Sequence, residues 1–275
     1  MNVLLILLML APSPVRDETV RINKSYPIAD AENMTVFIDN LNGDVVVEST
    51  AGNEVKLTLE IEISAKTEEL MKTAKSQLKL GEWIDNDTLS FYTDAPFIKR
   101  TKCGDGWRYE TNKYPPYAFK YQYKVLVPRA VSLDLKTING GQVLVKNVEG
   151  LIKASNVNGG LELLNVHELS SANAVNGDIT IEFKKAPVQP IKFGTVNGDF
   201  NLTLPDDFAA QVFFESLNGD LYSSFDYEAI APKLVKTEKN GTYKIESKAG
   251  IEIGSNGPEL IFRTVNGSAY LKNEH

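Results

Sequence analysis

Four aspartates directly follow an Asn-Gly pair, namely Asp44, Asp178, Asp199 and Asp220. A row of carboxylates would be a natural place for calcium, but Ca2+ gathers about six to eight oxygens. One Asp per repeat, missing beside Gly141, Gly160 and Ser268, supplies too few, so no metal is expected. These side chains are expected instead to accept hydrogen bonds from corner amides, as Asx residues do in turns. A second carboxylate set, Glu162, Glu182 and Asp178, lies on strand faces that stacking could bring together. Paired carboxylates are the equipment of glycoside chemistry, although solvated strand faces carry the same residues.

Nucleophilic catalysis has little to work with. The histidines are His167 and the terminal His275, and Cys103 is the single cysteine. A Ser-His or Cys-His relay needs a positioned base beside a nucleophile, and "LLNVHELSS" around His167 has no such signature. One cysteine excludes an intrachain disulfide and a Cys-rich zinc site. No phosphate-binding loop is present. The expectation is a protein without cofactors and without a catalytic constellation. A net charge of −7 over 275 residues argues against nucleic acid, which requires a basic face.

The residues that would position such groups recur. Asn-Gly corners stand at Asn42, Asn139, Asn158, Asn176, Asn197, Asn218 and Asn266, each preceded by an aliphatic residue. From Asn139 to Asn218 the steps are 19, 18, 21 and 21 residues. Positions four and six before each Asn, and three and five after it, are apolar as well. Counting the residue before the Asn, the exceptions are Ser170, Gln142 and Ser223. Spacing of two marks strands with one buried face. The count slips between the fourth and first residues before the Asn, which places a turn there. The small or polar residue two before it, and an Asn-Gly able to take positive φ, would form the bend. Gly141 adds one residue to its copy, which predicts a bulge that moves the apolar pair to Val143 and Val145.

Like positions repeating every 19–21 residues favour coils stacked like to like over an antiparallel meander. The expected fold is all-β, a β-solenoid of roughly 20-residue coils over residues 131–275. Residues 17–130 form a strand-rich N-terminal region with one helix, 67–80, and a long irregular loop, 95–117. That loop carries a candidate partner patch: Trp107, Arg108, Tyr109, Tyr114 and Tyr117. The aromatics could grip a ligand or fold back as the cap that repeat folds need. Near the C-terminus a hairpin turning at Gly254–Gly257 is expected before a final copy, whose polar ending would blunt the last sheet edge. Residues 1–16 read as an apolar leader. The run Val3–Ala11 is too short to span a bilayer but suits an export signal, which predicts an exported protein with no integral membrane span.

At the repeated "TVNGDI"-like word, with "YKVLVPRAVSLDLKTINGG" leading in and "LIFRTVNGSAYLK" closing, the sequence resembles the bacterial adhesin-like, β-strand-repeat proteins of the cell envelope. The resemblance covers nearly the whole chain after the leader. It implies an exported, solenoid-like protein with an adhesin-like role, an unidentified protein or glycan partner, and no catalytic residues to carry over. The alternatives are a polysaccharide-active solenoid enzyme and an envelope-stress sensor.

Overall fold

The computed structural model describes residues 15–85, 87–103, 106–111, 114–239 and 242–274. The N-terminal part runs β1 (Arg16–Pro27), β2 (Thr35–Asn42), β3 (Val45–Thr50), β4 (Glu54–Ala65), α1 (Glu68–Gln77), β5 (Lys79–Ile84) and β6 (Thr88–Asp94). It ends with β7 (Ile98–Cys103), β8 (Gly106–Thr111) and β9 (Ala118–Pro128). Strand pairs joined by corners follow: β10 (Ser132–Asn139) and β11 (Val143–Lys146), β12 (Leu151–Asn158) and β13 (Leu161–Val166), β14 (Glu168–Asn176) and β15 (Ile179–Phe183). Next come β16 (Ile191–Gly194) and β17 (Phe200–Leu204), then β18 (Ala210–Glu215) and β19 (Leu221–Ser223). The chain closes with β20 (Glu228–Lys239), β21 (Thr242–Ile253), β22 (Glu259–Arg263) and β23 (Ala269–Asn273).

These strands build two large sheets. Sheet I has ten strands in the order β1-β4-β9-β3-β11-β13-β15-β17-β23-β19. Sheet II has eleven, ordered β20-β21-β18-β22-β16-β14-β12-β10-β2-β6-β5. Each corner carries the chain from sheet II to sheet I, so every repeat gives one strand to each. Neighbouring repeats pair in parallel and in register: Leu135 meets Ile38 and Ala154, and Leu163 meets Val145 and Ile181. Parallel sheets are stable when their inner faces are covered, and here the two sheets cover each other. The core columns are fully enclosed, as with Ile38, Val45, Val143, Ile179 and Phe200.

The order of corners along the stack is not the order in sequence. β22 and β23 lie between the strands of the Asn197 and Asn218 repeats, so the corners run 42, 139, 158, 176, 197, 266, 218. The final copy is therefore interior, and its polar ending blunts no edge. Side-chain size explains the placement. Phe262 stacks on Phe193, centroids 4.4 Å apart and planes 9° apart, and Phe214 is its register partner on the other side. Across the core the ring of Phe262 meets Phe200 edge-on, with centroids 5.3 Å apart.

Other expectations are corrected at the same level. The helix spans Glu68–Gln77, not 67–80. Thr67 is its N-cap, its hydroxyl accepting from the Leu70 amide at 3.2 Å, and Lys79 already belongs to β5. Segment 95–117 is not irregular throughout, because β7 and β8 form an antiparallel ribbon. No hairpin turns at Gly254–Gly257: β21 pairs antiparallel with β20 and β18, and β22 pairs parallel with β18. The extra residue at Gly141 lies in the corner between β10 and β11 and not within a ladder, and Val143 and Val145 face the core opposite Val45 and Val47. Ser170 breaks its apolar column because β14 shifts register there, and Leu169 fills the place at 2% exposure.

Candidate functional site

The corner edge gathers the repeated polar residues. Alternation does not slip before the Asn. The residue two positions earlier stays inside, as Asn40, Thr137, Asn156, Thr195 and Thr264 show, and the aliphatic residue between it and the Asn faces outward. Buried polar groups are normally paired, and Asn40, Thr137, Asn156 and Thr195 donate to glycine carbonyls that stacking turns inward, whereas the Thr264 hydroxyl is buried without a hydrogen-bond partner among the described residues. Thr137 Oγ1 donates to the Gly43 carbonyl at 3.2 Å, and Asn156 Nδ2 donates to those of Gly141 and Gly160 at 2.8 and 3.1 Å. Asn40 Nδ2 does the same for Gly43 and Tyr121. At these positions a small polar residue meets an inward carbonyl, while Ala174 fills the same place without one.

The glycines make the bend. Gly177 has φ +158°, and a Cβ there would stand 2.3 Å from the Gly159 carbonyl oxygen. The corner asparagines are not among the residues with positive φ; the non-glycine examples are Asn147, Asn165 and Asn256. The corner Asn serves a different purpose. Asn158 Nδ2 donates to Asn139 Oδ1 (3.4 Å), Asn176 to Asn158 (3.0 Å), Asn197 to Asn176 (2.8 Å), Asn266 to Asn197 (2.8 Å) and Asn218 to Asn266 (2.7 Å). Identical amides in parallel register form such a ladder because each finds its own complement one strand away. Asn42, at the near end, reaches the Phe119 carbonyl instead.

A second column runs beside it. Asp178 Oδ1 accepts from the Asp199 amide at 2.8 Å, and Asp199 Oδ1 from the Ser268 amide at 2.7 Å. Asp44 Oδ1 accepts from the Gln142 amide at 2.8 Å. The carboxylates therefore bind amides of the next coil, as the sequence suggested, and among the described residues no group of three or more His, Cys, Asp or Glu is placed to hold a metal ion. The column is interrupted at Gly160, where an open cleft of about 740 Å3 is lined by Asp44, Gln142, Glu162, Asp178 and Thr180. Glu162, which accepts from Gln142 Nε2 at 2.8 Å, and Asp178 thus share a cleft. Glu182 is not among its lining residues.

On the outer side of the ladder stand Val157, Val175, Val196 and Val265, each between 36% and 38% exposed, and then Leu217 at 80%. Aliphatic side chains in register on a sheet exterior form a continuous stripe at the strand spacing, about 4.8 Å. Sequence counting had placed these residues with the core, since an apolar type alone does not say which face it occupies.

Of the aromatic patch, the structure describes the side chains of Tyr114 and Tyr117. Tyr117 is buried, its hydroxyl donating to Gln77 Oε1 at 2.6 Å and its ring edge-on to Phe97. Tyr114 is 84% exposed. The side chains of Trp107, Arg108 and Tyr109 lie outside the described residues; their backbone belongs to β8. His167 lines a separate cleft with Glu32, Glu149, Glu168 and Lys185 at the opposite edge.

Comparison with known proteins gives loose structural likenesses. A "putative cell adhesion protein" from Clostridium sporogenes is 9% identical, covering 94% of this chain and 100% of that one, with a TM-score of 0.40. A "putative adhesin" from Bacteroides fragilis is 9% identical over 92% and 97% of the two chains, with a TM-score of 0.28. A "putative lipid binding protein" from Parabacteroides distasonis is 11% identical over 93% and 97%, at 0.30. Scores this low carry no argument about function. No curated protein matches the chain. The family model described as Toastrack DUF4097 matches residues 21–253, and the chain belongs to that family.

Proposed function

We propose that this protein is a non-enzymatic, adhesin-like protein of the cell envelope or exterior. In this reading it is a β-solenoid whose corner edge presents a rigid, periodic surface to a partner, most fittingly a glycan chain. The observation that carries the proposal is the pairing of two columns along one edge: the Asn amide ladder and the aliphatic stripe from Val157 to Leu217. Six stacked asparagines span about 24 Å at the strand spacing. Contiguous apolar surface rimmed by polar groups marks interaction sites. Sugars offer the complement, since each ring has hydroxyls at its edge and an apolar C–H face. A repeating polymer would also meet the same pair of columns at every step.

Export rests on the leader-like run Val3–Ala11, and no helix among the described residues is long and apolar enough to cross a membrane. The test is binding of the full chain to an array of immobilised bacterial and host polysaccharides. Val175→Lys with Val196→Lys should weaken binding at least tenfold, about 1.4 kcal/mol, while the melting temperature stays within a few degrees. Undiminished binding by that variant would remove the stripe from the account.

A second reading is favoured by the cleft at Gly160, where Glu162 and Asp178 meet. There the protein would cleave the polysaccharide with this carboxylate pair. Release of reducing ends by the native protein, abolished by Glu162→Gln, would establish it in place of the binding role.

A further inference from the structure

The stack ends differently in its two sheets. Beyond the Asn218 repeat, sheet II continues through β21 and β20, whereas sheet I stops at the three residues of β19. The Ala269 amide donates to the Asp220 carbonyl at 3.0 Å, and the Ser224 amide to the Leu271 carbonyl at 2.9 Å. In a parallel ladder, alternate residues bond to alternate sides. The N–H and C=O groups of Leu221 and Ser223 therefore point away from β23, along the open edge.

The side chains at this end repeat the message. Leu221 is only half-buried, although Val45, Val143, Leu161, Ile179, Phe200 and Ala269 in its column are all enclosed. Tyr222 stacks on Tyr270 with centroids 4.9 Å apart and planes 5° apart. Being on the edge strand, it keeps one ring face free and is 49% exposed. Leu217 and Tyr227 are 80% and 61% exposed. This coil shows what every other coil covers with its neighbour.

The same end carries a projecting arm. β20 and β21 pair from Glu228↔Glu252 to Lys239↔Thr242, but β21 is held to β18 only over Ile251–Ile253. From Lys233↔Lys248 outward the hairpin extends about 20 Å with no other strand beside it among the described residues. Residues 231–250 contain Lys233, Lys236, Lys239, Lys244 and Lys248 against Glu238 and Glu246, a basic arm on an acidic protein. The open end is acidic, with exposed Asp220, Asp226 and Glu228. Pairing β19 with its own copy about a two-fold axis would set those acids against each other. An arm from a second copy brings lysines instead.

We propose that this end is a self-association surface on which two copies exchange hairpins, each laying a free strand of its β20–β21 arm along the other's β19 edge and its lysines against the other's acidic residues. Reciprocal exchange closes a two-fold dimer and extends the coil-on-coil stacking already present within each chain. It is independent of what the corner edge binds.

Sedimentation velocity of the full chain over a concentration series tests it. A dimer with Kd near 10 μM or tighter, about −7 kcal/mol, is expected at low salt, weakening as salt screens the charges. Replacing Asp220, Asp226 and Glu228 by Lys should raise Kd at least tenfold, and so should replacing the five arm lysines by Glu. Both sets in one chain should restore the dimer, because the charges are then exchanged rather than lost. Unchanged far-ultraviolet circular dichroism would show that each variant folds. A protein that stays monomeric at every concentration overturns the proposal, as does a dimer indifferent to both charge sets or one that the combined variant fails to restore.

Discussion

The two ends of the stack solve the same problem in opposite ways. A repeat fold must do something with its first and last coils, because each leaves a face that the next repeat would have covered. At the N-terminal end the problem is solved inside the chain. The step from Asn42 to Asn139 holds far more sequence than any other, and that insertion supplies β4 and β9 to sheet I and β6 and β5 to sheet II, while β1, from before the first corner, completes the edge of sheet I. The two edge strands are then clasped. Lys24 Nζ donates to Glu82 Oε1 at 2.6 Å, the Tyr26 hydroxyl donates to the other Glu82 oxygen, and the Tyr26 ring leans on Phe91 with centroids 5.5 Å apart. Helix α1 turns Met71 and Ala74 into the core. At the C-terminal end sheet I simply stops. Closure thus draws on a long insertion and on a strand from before the first corner, whereas the open end leaves a surface available.

The largest expected effect comes from the coil that fastens the open end. Phe262 lies between the Asn197 and Asn218 repeats and touches Phe193 and Phe200. Phe262→Ala should destabilise by about 3–5 kcal/mol in urea unfolding, and hydrogen exchange should show the loss concentrated in β18, β19, β22 and β23. Uniform loss over both ends would mean that they are not separately held. Corner glycines come next. Gly267→Ala would drive a Cβ to 1.9 Å from the Gly198 carbonyl, whereas nothing lies within 4 Å of a Cβ at Gly140, where φ is +57°. The first should cost well over 2 kcal/mol by forcing two coils apart, and the second only about 1–2 kcal/mol of left-handed strain.

The N-terminal clasp should respond to pH. Hydrogen bonds from Lys24 and then Tyr26 hold the Glu82 carboxyl below its ordinary range. Its folded pKa is depressed, so its contribution is present above the unfolded value near 4.5 and fades as pH falls through the folded one. Tyr26 is shifted up by burial and by Glu82, and Tyr121 by burial. Their contributions hold below the ordinary tyrosine value near 10 and are lost as pH climbs toward the raised values. Thermal melts at pH 7 and pH 3 should differ less in Glu82→Gln than in the native protein. An equal difference would show that the clasp does not titrate. The smallest effect belongs to the amide ladder. Asn197→Ala removes two amide bonds and Asn218→Ala one, so the first should cost more, by roughly 0.5 kcal/mol in these exposed positions.

Much of the repeat was legible because stacking leaves a chemical trace. When Ile38, Leu135 and Ala154 sit on one another, the same column must be apolar in every copy, and counting finds it. What stacking does not record is which coil is next to which, since members of a column are interchangeable in kind. The intercalated last repeat was hidden for that reason, although one clue existed: of the seven repeats, those of Asn197, Asn218 and Asn266 carry a ring four residues before the Asn, and Phe193, Phe262 and Phe214 are neighbours in space. The outward turn of Val157 and its companions is not legible because the residue before it can be polar and still buried, as Asn156 and Thr195 are, each paired to a glycine carbonyl of the neighbouring coil in a way that only coordinates reveal. The β20–β21 pairing was obscured by Gly254 and Gly257, whose turn leads from one sheet partner to another rather than reversing a hairpin.

The order of the coils is the claim on which the corner edge and both ends depend, and it can be tested by cross-linking. In a Cys103→Ser background, Val196→Cys with Val265→Cys should oxidise to an intrachain disulfide, because neighbouring strands fall within disulfide reach and Asn197 bridges to Asn266. Val196→Cys with Leu217→Cys should keep both thiols free, since the Asn266 coil separates them. A disulfide in the second pair and none in the first would contradict the account.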